Sequence, residues 1–324
     1  MAGAEVAGSS TGGAEAPQPE APAAAAPSAP CGFLVLDKPA GLTSHGCVSR
    51  VRRAYGLKRV GHGGTLDPAV TGVLPIAVGA ATRLLPYLDG AKAYRGVVQL
   101  GLTTSTDDLA GEELERRAVP ALTAAELEGA LAPFRGAIQQ RPPQVSAVHV
   151  DGVRAYARAR RGEALELAER QVTIEHLELL AWDPATGQLE LAVACSAGTY
   201  IRSLARDLGA ALGCGGCLAS LRRTAALGFG LELAVPLERL ELSPPPALLD
   251  PLVVLAHLPR HRLEEADLAG WRCGRSQVAC GELVGCLVEG DPVVVVGPDG
   301  NLAGMARALA EGRLQPRLVL NASG

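Results

Sequence analysis

The sequence predicts an α+β fold, with a large α+β body and a small β-rich appendage at its C-terminal end. Strand-like segments dominate the body, and a few short amphipathic helices interrupt them. After Pro244–Pro246 the pattern changes to a short helix and then strands joined by turns, as at 297–300. We therefore expect two folded units, at residues 31–250 and 251–324, after an N-terminal tail.

The tail, residues 1–30, differs in composition from the rest of the chain. It is mostly Ala, Pro, Gly and Ser, and its charged side chains are Glu5, Glu15 and Glu20. A segment with so little to bury cannot offset the entropy lost on ordering, so we predict disorder. Without the tail, 30 basic and 31 acidic side chains remain, a net charge of −1 instead of −4. A near-neutral body argues against indiscriminate coating of nucleic acid but allows a local basic groove.

Length and cysteine content exclude several other classes of protein. A chain of 324 residues, 48% of them hydrophobic, can build one large core or two domains. Its eight cysteines are spread over a long apolar chain, which is not the pattern of a small disulfide scaffold. No apolar run approaches ~20 residues, and the N-terminus lacks the features of a secretory signal or transit peptide. We expect a cytoplasmic protein without a membrane segment.

The first elements of the body frame a glycine-rich loop. The run 32–39 (GFLVLDKP) is typical of a short buried strand that ends in proline. Ser44 is predicted to be the N-cap of a helix that continues to Tyr55 and stops at Gly56. The loop GHGGTLDP follows at 61–68. Further strand-like segments lie at 73–78 and 93–102.

Two more helices are predicted in the body. Thr123 and Glu126 have the spacing of a capping box for a helix towards Ala132. A helix over 199–212 places its apolar residues on one face and Arg202 on another. Extended segments are predicted at 137–150, 171–182 and 188–195, and a short helix in the appendage near 263–270.

Asp67 is the leading candidate for a catalytic side chain. It precedes a proline, which keeps it out of the α region and fixes the direction of its carboxylate. Gly61, Gly63, Gly64 and Gly72 surround it, which indicates sharp turns or the close approach of a ligand. The loop is not a P-loop, because no Gly-Lys-Ser/Thr follows, and the segment lacks the paired carboxylates of a glycosidase. An ordinary Asp-Pro turn is the alternative interpretation.

Two other patterns are weak indications of a metal site. Cys214 and Cys217 have zinc-knuckle spacing, but a second pair of ligands at that spacing is missing from the sequence. The run 103–108 (TTSTDD) is acidic at its end, and we interpret it as a solvated turn or a loop that contacts RNA. We predict no metal.

Five stretches of sequence carry a resemblance to a known family. They are FLVLDKPAGLTSH (33–45), RVGHGGTLDPAVTGVLPIAVGAATRL (59–84), KAYRGVVQLG (92–101), CSAGTYIRSLARDLG (195–209) and LASLRRT (218–224). In these stretches the chain resembles the TruB family of bacterial tRNA pseudouridine synthases. The segment from residue 251 resembles, more weakly, the PUA-like C-terminal domain of that family. The resemblance implies a mixed, largely antiparallel sheet as the pseudouridine synthase core, followed by a PUA-like RNA-binding domain.

The resemblance also implies three catalytic residues. Asp67 would attack the target nucleoside, at the sugar C1′ or at the base, and a carboxylate can do so without a cofactor. Tyr94 would lie against the uracil and take part in removing its C5 proton. Arg202 would pair with Asp67 and keep it ionised. Without the resemblance, Tyr94 would be interpreted as a core residue and Arg202 as a solvated arginine.

Four more residues are implied at the pocket for the target base. Tyr200 and Leu221 would line the pocket, and Lys38 would support it near the catalytic loop. His62 would fill the space that the extruded nucleotide leaves, because an enzyme that acts on a base inside folded RNA must flip it out.

The catalytic loop departs from the family pattern at two positions. Gly63 stands where threonine is usual, which removes a side chain near the RNA. Val70 stands where alanine is usual and adds bulk behind the aspartate. Neither departure removes a catalytic group.

Clustered basic residues indicate where RNA phosphates bind. Three clusters stand out: Arg50, Arg52, Arg53, Lys58 and Arg59; Arg154, Arg158, Arg160 and Arg161; and Arg222 with Arg223. Solvated helix faces are the alternative interpretation of each cluster.

Together these features predict an isomerase that converts uridine to pseudouridine at position 55 in the T stem-loop of tRNA. We expect no cofactor, no obligate protein partner and a monomeric state. Two alternatives stay open, namely the same chemistry on another RNA and an RNA-folding chaperone.

Overall fold

The computed structural model describes residues 30–146, 148–150, 153, 154, 158, 161, 167–279 and 283–320, together with residues 1 and 3. Most of the tail that we predicted to be disordered therefore lies outside the described residues, as does Arg160 of the second basic cluster.

A large mixed sheet forms the body. The strands of the body are β1 (Gly32–Lys38), β2 (Val60–His62), β3 (Thr71–Val78), β4 (Lys92–Leu100), β5 (Leu102–Thr104), β6 (Glu113–Arg116), β7 (Gly136–Gln140), β8 (His149–Val150), β9 (Val153–Arg154), β10 (Arg170–Asp183), β11 (Gln188–Cys195), β12 (Gly216–Ala226), β13 (Phe229–Gly230) and β14 (Val235–Pro236). The large sheet has the order β14-β1-β3-β12-β4-β11-β10-β7, with β2 on β3 and β13 on β12. β1 and β14, and β3 and β12, pair in parallel, whereas the other neighbours are antiparallel. The predicted mixed, largely antiparallel core is confirmed.

The order of the central strands positions the candidate site. β12 lies between β3 and β4, so Arg223 pairs with Gly72 on one side and with Tyr94 on the other. Asp67 lies in the loop between β2 and β3. The pairing of β3, β12 and β4 therefore brings together Gly72, Arg223 and Tyr94, which are far apart in sequence, next to the loop that carries Asp67.

The helices match the sequence patterns, with one instructive error at an N-cap. They are α1 (Ser44–Tyr55), α2 (Ala124–Leu131), α3 (Ile201–Ala211), α4 (Pro251–Val254), α5 (Glu265–Arg272) and α6 (Leu283–Cys286). α1 ends at Gly56, whose φ is 63°, as predicted, but its N-cap is Thr43 and not Ser44. The capping box of Thr123 and Glu126 is present. Short 3₁₀ turns lie at Gly79–Arg83, Leu85–Tyr87, Ala132–Phe134, Leu231–Leu233, Leu237–Glu241 and Ala310–Gly312.

Two other predictions were too long. The extended segment expected over 137–150 is a strand only at Gly136–Gln140 and His149–Val150. The residues between them include Arg141 and Val145, whose carbonyls accept hydrogen bonds from α3 side chains instead of a strand partner. The helix expected over 199–212 spans Ile201–Ala211.

The C-terminal segment forms a second sheet. Its strands are β15 (Arg260–Arg262), β16 (Gln277–Val278), β17 (Pro292–Val296), β18 (Leu302–Ala308) and β19 (Arg313–Val319), in the order β15-β17-β18-β19-β16. Trp271 and Val293 belong to a core on one side of this sheet. Val294 and Met305 pack into a cluster with Phe33 of the large sheet. The two sheets thus share apolar contacts, and the division at residue 250 stays a prediction.

Within the described part of the chain, the helices are too short or too polar to cross a membrane.

Candidate active site

The loop between β2 and β3, named the catalytic loop for the role predicted for Asp67, is supported by a buried lysine. Lys38 is fully buried at the end of β1. Its ammonium donates hydrogen bonds to the carbonyl oxygens of Pro68 (3.1 Å) and Val70 (2.7 Å), immediately after Asp67. Burial lowers the pKa of Lys38, while the nearby Asp67 opposes the shift. Lys38 therefore lies beside the catalytic loop, as we predicted.

Ser44 holds the other side of Asp67, which explains why it is not the N-cap of α1. Its hydroxyl accepts a hydrogen bond from the Leu66 N–H (2.8 Å) and donates one to the Leu66 carbonyl (3.1 Å). The neighbouring Thr43 caps the helix by accepting from the Gly46 N–H at 2.9 Å. Both residue types are good caps, and the tertiary contact with the loop decides between them.

Arg223 closes the loop at both ends. The side chain is fully buried, and it donates to the carbonyl oxygens of Val73 (2.8 Å) and Gly64 (3.1 Å). Gly72 must be glycine at this contact, because its φ is 102° and a Cβ there would lie 2.2 Å from the Arg223 carbonyl oxygen. The loop around Asp67 is therefore held by three buried polar side chains.

Arg202 forms the expected ion pair with Asp67. Its Nη2 lies 3.0 Å from Oδ2 of Asp67, and the arginine side chain is 8% exposed while the aspartate is 46% exposed. The guanidinium also donates to the carbonyl oxygens of Thr106 and Val145, both at 2.9 Å. Asp108 lies 3.6 Å from its Nε. These partners on several sides hold the guanidinium in one orientation, in which it faces the Asp67 carboxylate.

Five of the predicted residues line one small cavity of about 80 Å³. They are Asp67, Tyr94, Tyr200, Arg202 and Leu221. Tyr94 is 8% exposed, and burial raises the pKa of its phenol although Arg223 opposes that shift. Lys38 and His62 do not line the cavity. His62 ends β2 on the approach to the loop, and burial and then the Arg223 charge lower the pKa of its imidazole.

The two departures in the loop have structural explanations. A Cβ at Gly63 would lie 2.1 Å from Cδ1 of Leu227, so a leucine occupies the space that a threonine side chain would need. Val70 is buried and borders the cavity beside Asp67.

The arginine clusters divide into different kinds of contact. In the first cluster Arg50, Arg53, Lys58 and Arg59 are exposed. The phosphate-binding role predicted for Arg223 is wrong for a residue that is fully buried. Arg222 forms a bidentate pair with Asp37, at 2.7 and 3.0 Å.

The acidic run at 103–108 faces arginines. Asp107 pairs with Arg206 at 2.9 Å, and Asp108 faces Arg202. A second cavity, of about 640 Å³, lies beside Asp107 and Arg206, one helical turn from Arg202, and Asp67 does not line it. Among the described residues, no group of three or more His, Cys, Asp or Glu side chains is arranged to hold a metal ion.

Comparisons with known proteins agree with this fold. One family model, TruB family pseudouridylate synthase (N terminal domain), matches residues 52–201. A second, tRNA pseudouridylate synthase B C-terminal domain, matches 202–244 and so ends before β15. A protein of Synechococcus sp. (strain WH7803) is 62% identical over 304 residues, 92% of this chain and 100% of its own length. A protein of Parasynechococcus marenigrum (strain WH8102) is 63% identical over 295 residues, 91% of this chain and 99% of its own length. Both relatives are named tRNA pseudouridine synthase B.

A solved Cbf5-Nop10-Gar1 complex contains a chain with a TM-score of 0.66 at 24% identity, over 90% of this chain and 84% of that one, which supports the fold alone. The sheet, the loop and these matches place the chain among the pseudouridylate synthases. Within that class it belongs to the TruB family.

Sequence reasoning missed the roles of Ser44 and Arg223 in holding the loop. A signal for Arg223 was present, because neighbouring residues of a strand face opposite sides of a sheet. Arg222 and Arg223 are adjacent in β12 and could not both face RNA, but no strand was predicted there.

Proposed function

We propose that this protein isomerises uridine to pseudouridine in tRNA, at position 55 of the T loop, with Asp67 as the catalytic carboxylate. The observation that carries the proposal is the placement of Asp67, which is partly exposed at a small pocket and paired with a buried arginine. Membership of the TruB family and the printed names of the relatives support the reaction and the substrate.

The reaction moves one bond and requires no added atom. Asp67 attacks the nucleoside, at the sugar C1′ or at the base, and the glycosidic C–N bond breaks. The uracil turns, its C5 bonds to C1′, and the bond between Asp67 and the substrate breaks, which releases the carboxylate. C5 then loses its proton, and N1, which the broken glycosidic bond left without a substituent, gains one. Arg202 holds the carboxylate of Asp67 in place through the ion pair at 3.0 Å. Tyr94 lies against the uracil, where its buried phenol can relay the C5 proton by giving up its own.

The pocket accepts the base only after the base leaves the RNA stack. Tyr200 and Leu221 line the pocket on either side of the reacting groups. Flipping the nucleotide out costs roughly a few kcal/mol. His62 fills the space that the nucleotide leaves and so offsets part of that cost. Its neutral form suits this role, because burial lowers the pKa of the imidazole.

The rest of the chain is proposed to bind tRNA. The exposed basic residues of α1 and the turn after it precede the catalytic loop and would bind RNA phosphates, and the β-rich unit 251–324 extends the RNA-binding surface. We further propose that the enzyme acts in the cytoplasm as a monomer and without a protein partner. The Nop10 and Gar1 chains in the solved complex belong to that assembly.

The test is pseudouridine mapping on unmodified tRNA, without added metal or nucleotide. Wild-type protein should produce pseudouridine at position 55 alone, whereas Asp67→Asn should bind tRNA and produce none. Asp183→Asn, in an exposed turn far along the sheet, is the matched control and should behave as wild type. Modification at another site would refute the T-loop target. Binding without product by wild-type protein would favour the RNA chaperone.

A further inference from the structure

Two cations that the proposed mechanism leaves unused meet beside Gly64. A Cβ built on Gly64 would lie 3.5 Å from Nη1 of Arg223 and 3.8 Å from Nζ of Lys92. Lys92 begins β4, two residues before Tyr94 and therefore on the same face of the strand. The two cations thus converge on one position, at the glycine pair Gly63–Gly64 of the catalytic loop.

Neither cationic group is neutralised there. Nε and Nη2 of Arg223 donate to loop carbonyl oxygens, while Nη1 is buried without a hydrogen bond of good geometry, and the Tyr94 phenol is the polar side chain that interacts with this guanidinium. Among the residues that the structure describes, no oxygen accepts a hydrogen bond from the Lys92 ammonium, and no carboxylate pairs with it. A largely desolvated cation without an anionic partner is costly, so Lys92 beside Arg223 indicates a missing anion.

The position of the pair identifies the anion. His62, proposed to replace the flipped nucleotide, precedes Gly63 and Gly64, so the RNA strand must pass over this glycine pair. At Gly64 no side chain stands between the strand and the two cations. The group that an RNA strand presents there is a phosphodiester, and an ammonium binds phosphate well as a compact point charge.

We propose that Lys92, backed by Arg223, forms an anion subsite beside Gly64 for a backbone phosphate that flanks the flipped nucleotide. This inference rests on the proposed function. Lys92 contacts the phosphate, because it is partly exposed, while the fully buried Arg223 strengthens the local positive potential from behind. Burial and the Arg223 charge lower the pKa of Lys92, and a bound phosphate opposes both effects.

The subsite is tested by binding, in the Asp67→Asn background, so that turnover does not interfere. The probe is a T stem-loop RNA, and its affinity is measured over a range of salt concentrations. Lys92→Gln should weaken binding about tenfold and reduce the slope of log K against log salt by about one. Lys92→Arg keeps the charge and should retain most of both. Arg95→Gln is the matched control, because Arg95 lies on the same strand, faces the opposite side and pairs with Glu190.

A second arm locates the phosphate. Stem-loops that each carry one neutral methylphosphonate linkage are compared on the parent and the Lys92→Gln protein. One linkage next to the target nucleotide should weaken binding to the parent and have no further effect on Lys92→Gln. An unchanged salt slope, or additive effects at every linkage, would overturn the subsite. Pseudouridine formation by wild-type protein is a separate readout, so the subsite can fail while the proposed reaction stands.

Discussion

The large sheet and the C-terminal sheet differ in what they bury. Around Asp67 the large sheet buries three charged side chains, Lys38, Arg202 and Arg223. In the described part of the C-terminal sheet, the buried polar side chains are His261 and Gln277, and the core is otherwise apolar, with Trp271 fully buried. Burying charge costs several kcal/mol, roughly, unless each charge is well hydrogen-bonded. The difference indicates that the charges are retained for the site and not for stability.

The hydrogen bonds of the three cations support that interpretation. Lys38 and Arg223 donate hydrogen bonds to carbonyl oxygens of the catalytic loop, and Nη2 of Arg202 pairs with Asp67 itself. Each of the three cations therefore helps to fix the position of the Asp67 carboxylate. The side chains in the core of the C-terminal sheet are mostly apolar, and apolar contacts need no such directional partners.

The largest effect should follow from removing the charge that faces Asp67. Arg202→Met keeps much of the apolar stem but leaves the aspartate without its counter-ion, and the carbonyl oxygens of Thr106 and Val145 without donors. Loss of one partner of a buried pair costs about 3–5 kcal/mol, and Asp67 is partly exposed, so we take the lower end. We expect single-turnover pseudouridine formation to fall about 100-fold or more.

Arg206→Met is the control for this variant, because Arg206 lies one turn further along α3 and pairs with Asp107. It should stay within about threefold of the wild-type rate. Equal losses in both variants would mean that the helix, and not the Asp67 pair, is what the substitution damages.

Much of the site could be predicted from the sequence, because its key groups lie in recognisable motifs. The pairing of Asp67 with Arg202 is present as predicted. The roles of Ser44 and Arg223 could not be predicted in the same way. Whether Ser44 caps a helix or binds Leu66 depends on where a loop 22 residues away returns. Which of Arg222 and Arg223 is buried depends on which face of β12 meets the loop.

Those adjacent arginines provide the second test, now of stability. Arg223→Met leaves the carbonyl oxygens of Gly64 and Val73 without a donor in a buried place, so it should lower the free energy of unfolding by about 3 kcal/mol. Arg222→Met removes a partly exposed pair with Asp37 and should cost about 1 kcal/mol or less. Urea unfolding measures both values.

The comparison between sheets sharpens this result. Arg223→Met should also slow turnover, because it releases the loop that carries Asp67. Val293→Ala makes a cavity in the core of the C-terminal sheet that is about as destabilising, but it should leave the turnover of folded protein nearly unchanged. If the two variants slowed turnover equally, the buried charges would have only a structural role.

The smallest expected effect concerns pH and two histidines, the half-buried His62 and the buried His261. Burial lowers the pKa of His62 and of His261 below the ordinary 6.5. The unfolded chain then binds more protons than the folded one, so each histidine makes the protein less stable as pH falls below 6.5 towards the lowered folded value. The charges of Arg223 and His45 lower the pKa of His62 further, whereas Asp267 partly restores that of His261.

His62→Phe should therefore flatten the loss of stability between neutral pH and about pH 5 more than His261→Phe does. The measurement is the difference in unfolding free energy between the two pH values for wild type and each variant, so that the common contribution of the carboxylates cancels. Phenylalanine preserves an aromatic ring at position 62, and Nδ1 of His62 has no hydrogen bond to lose. Turnover should thus persist in His62→Phe if filling the vacated space is the role of the ring. A larger flattening in His261→Phe would show that the cations around the catalytic loop do not extend their influence to His62.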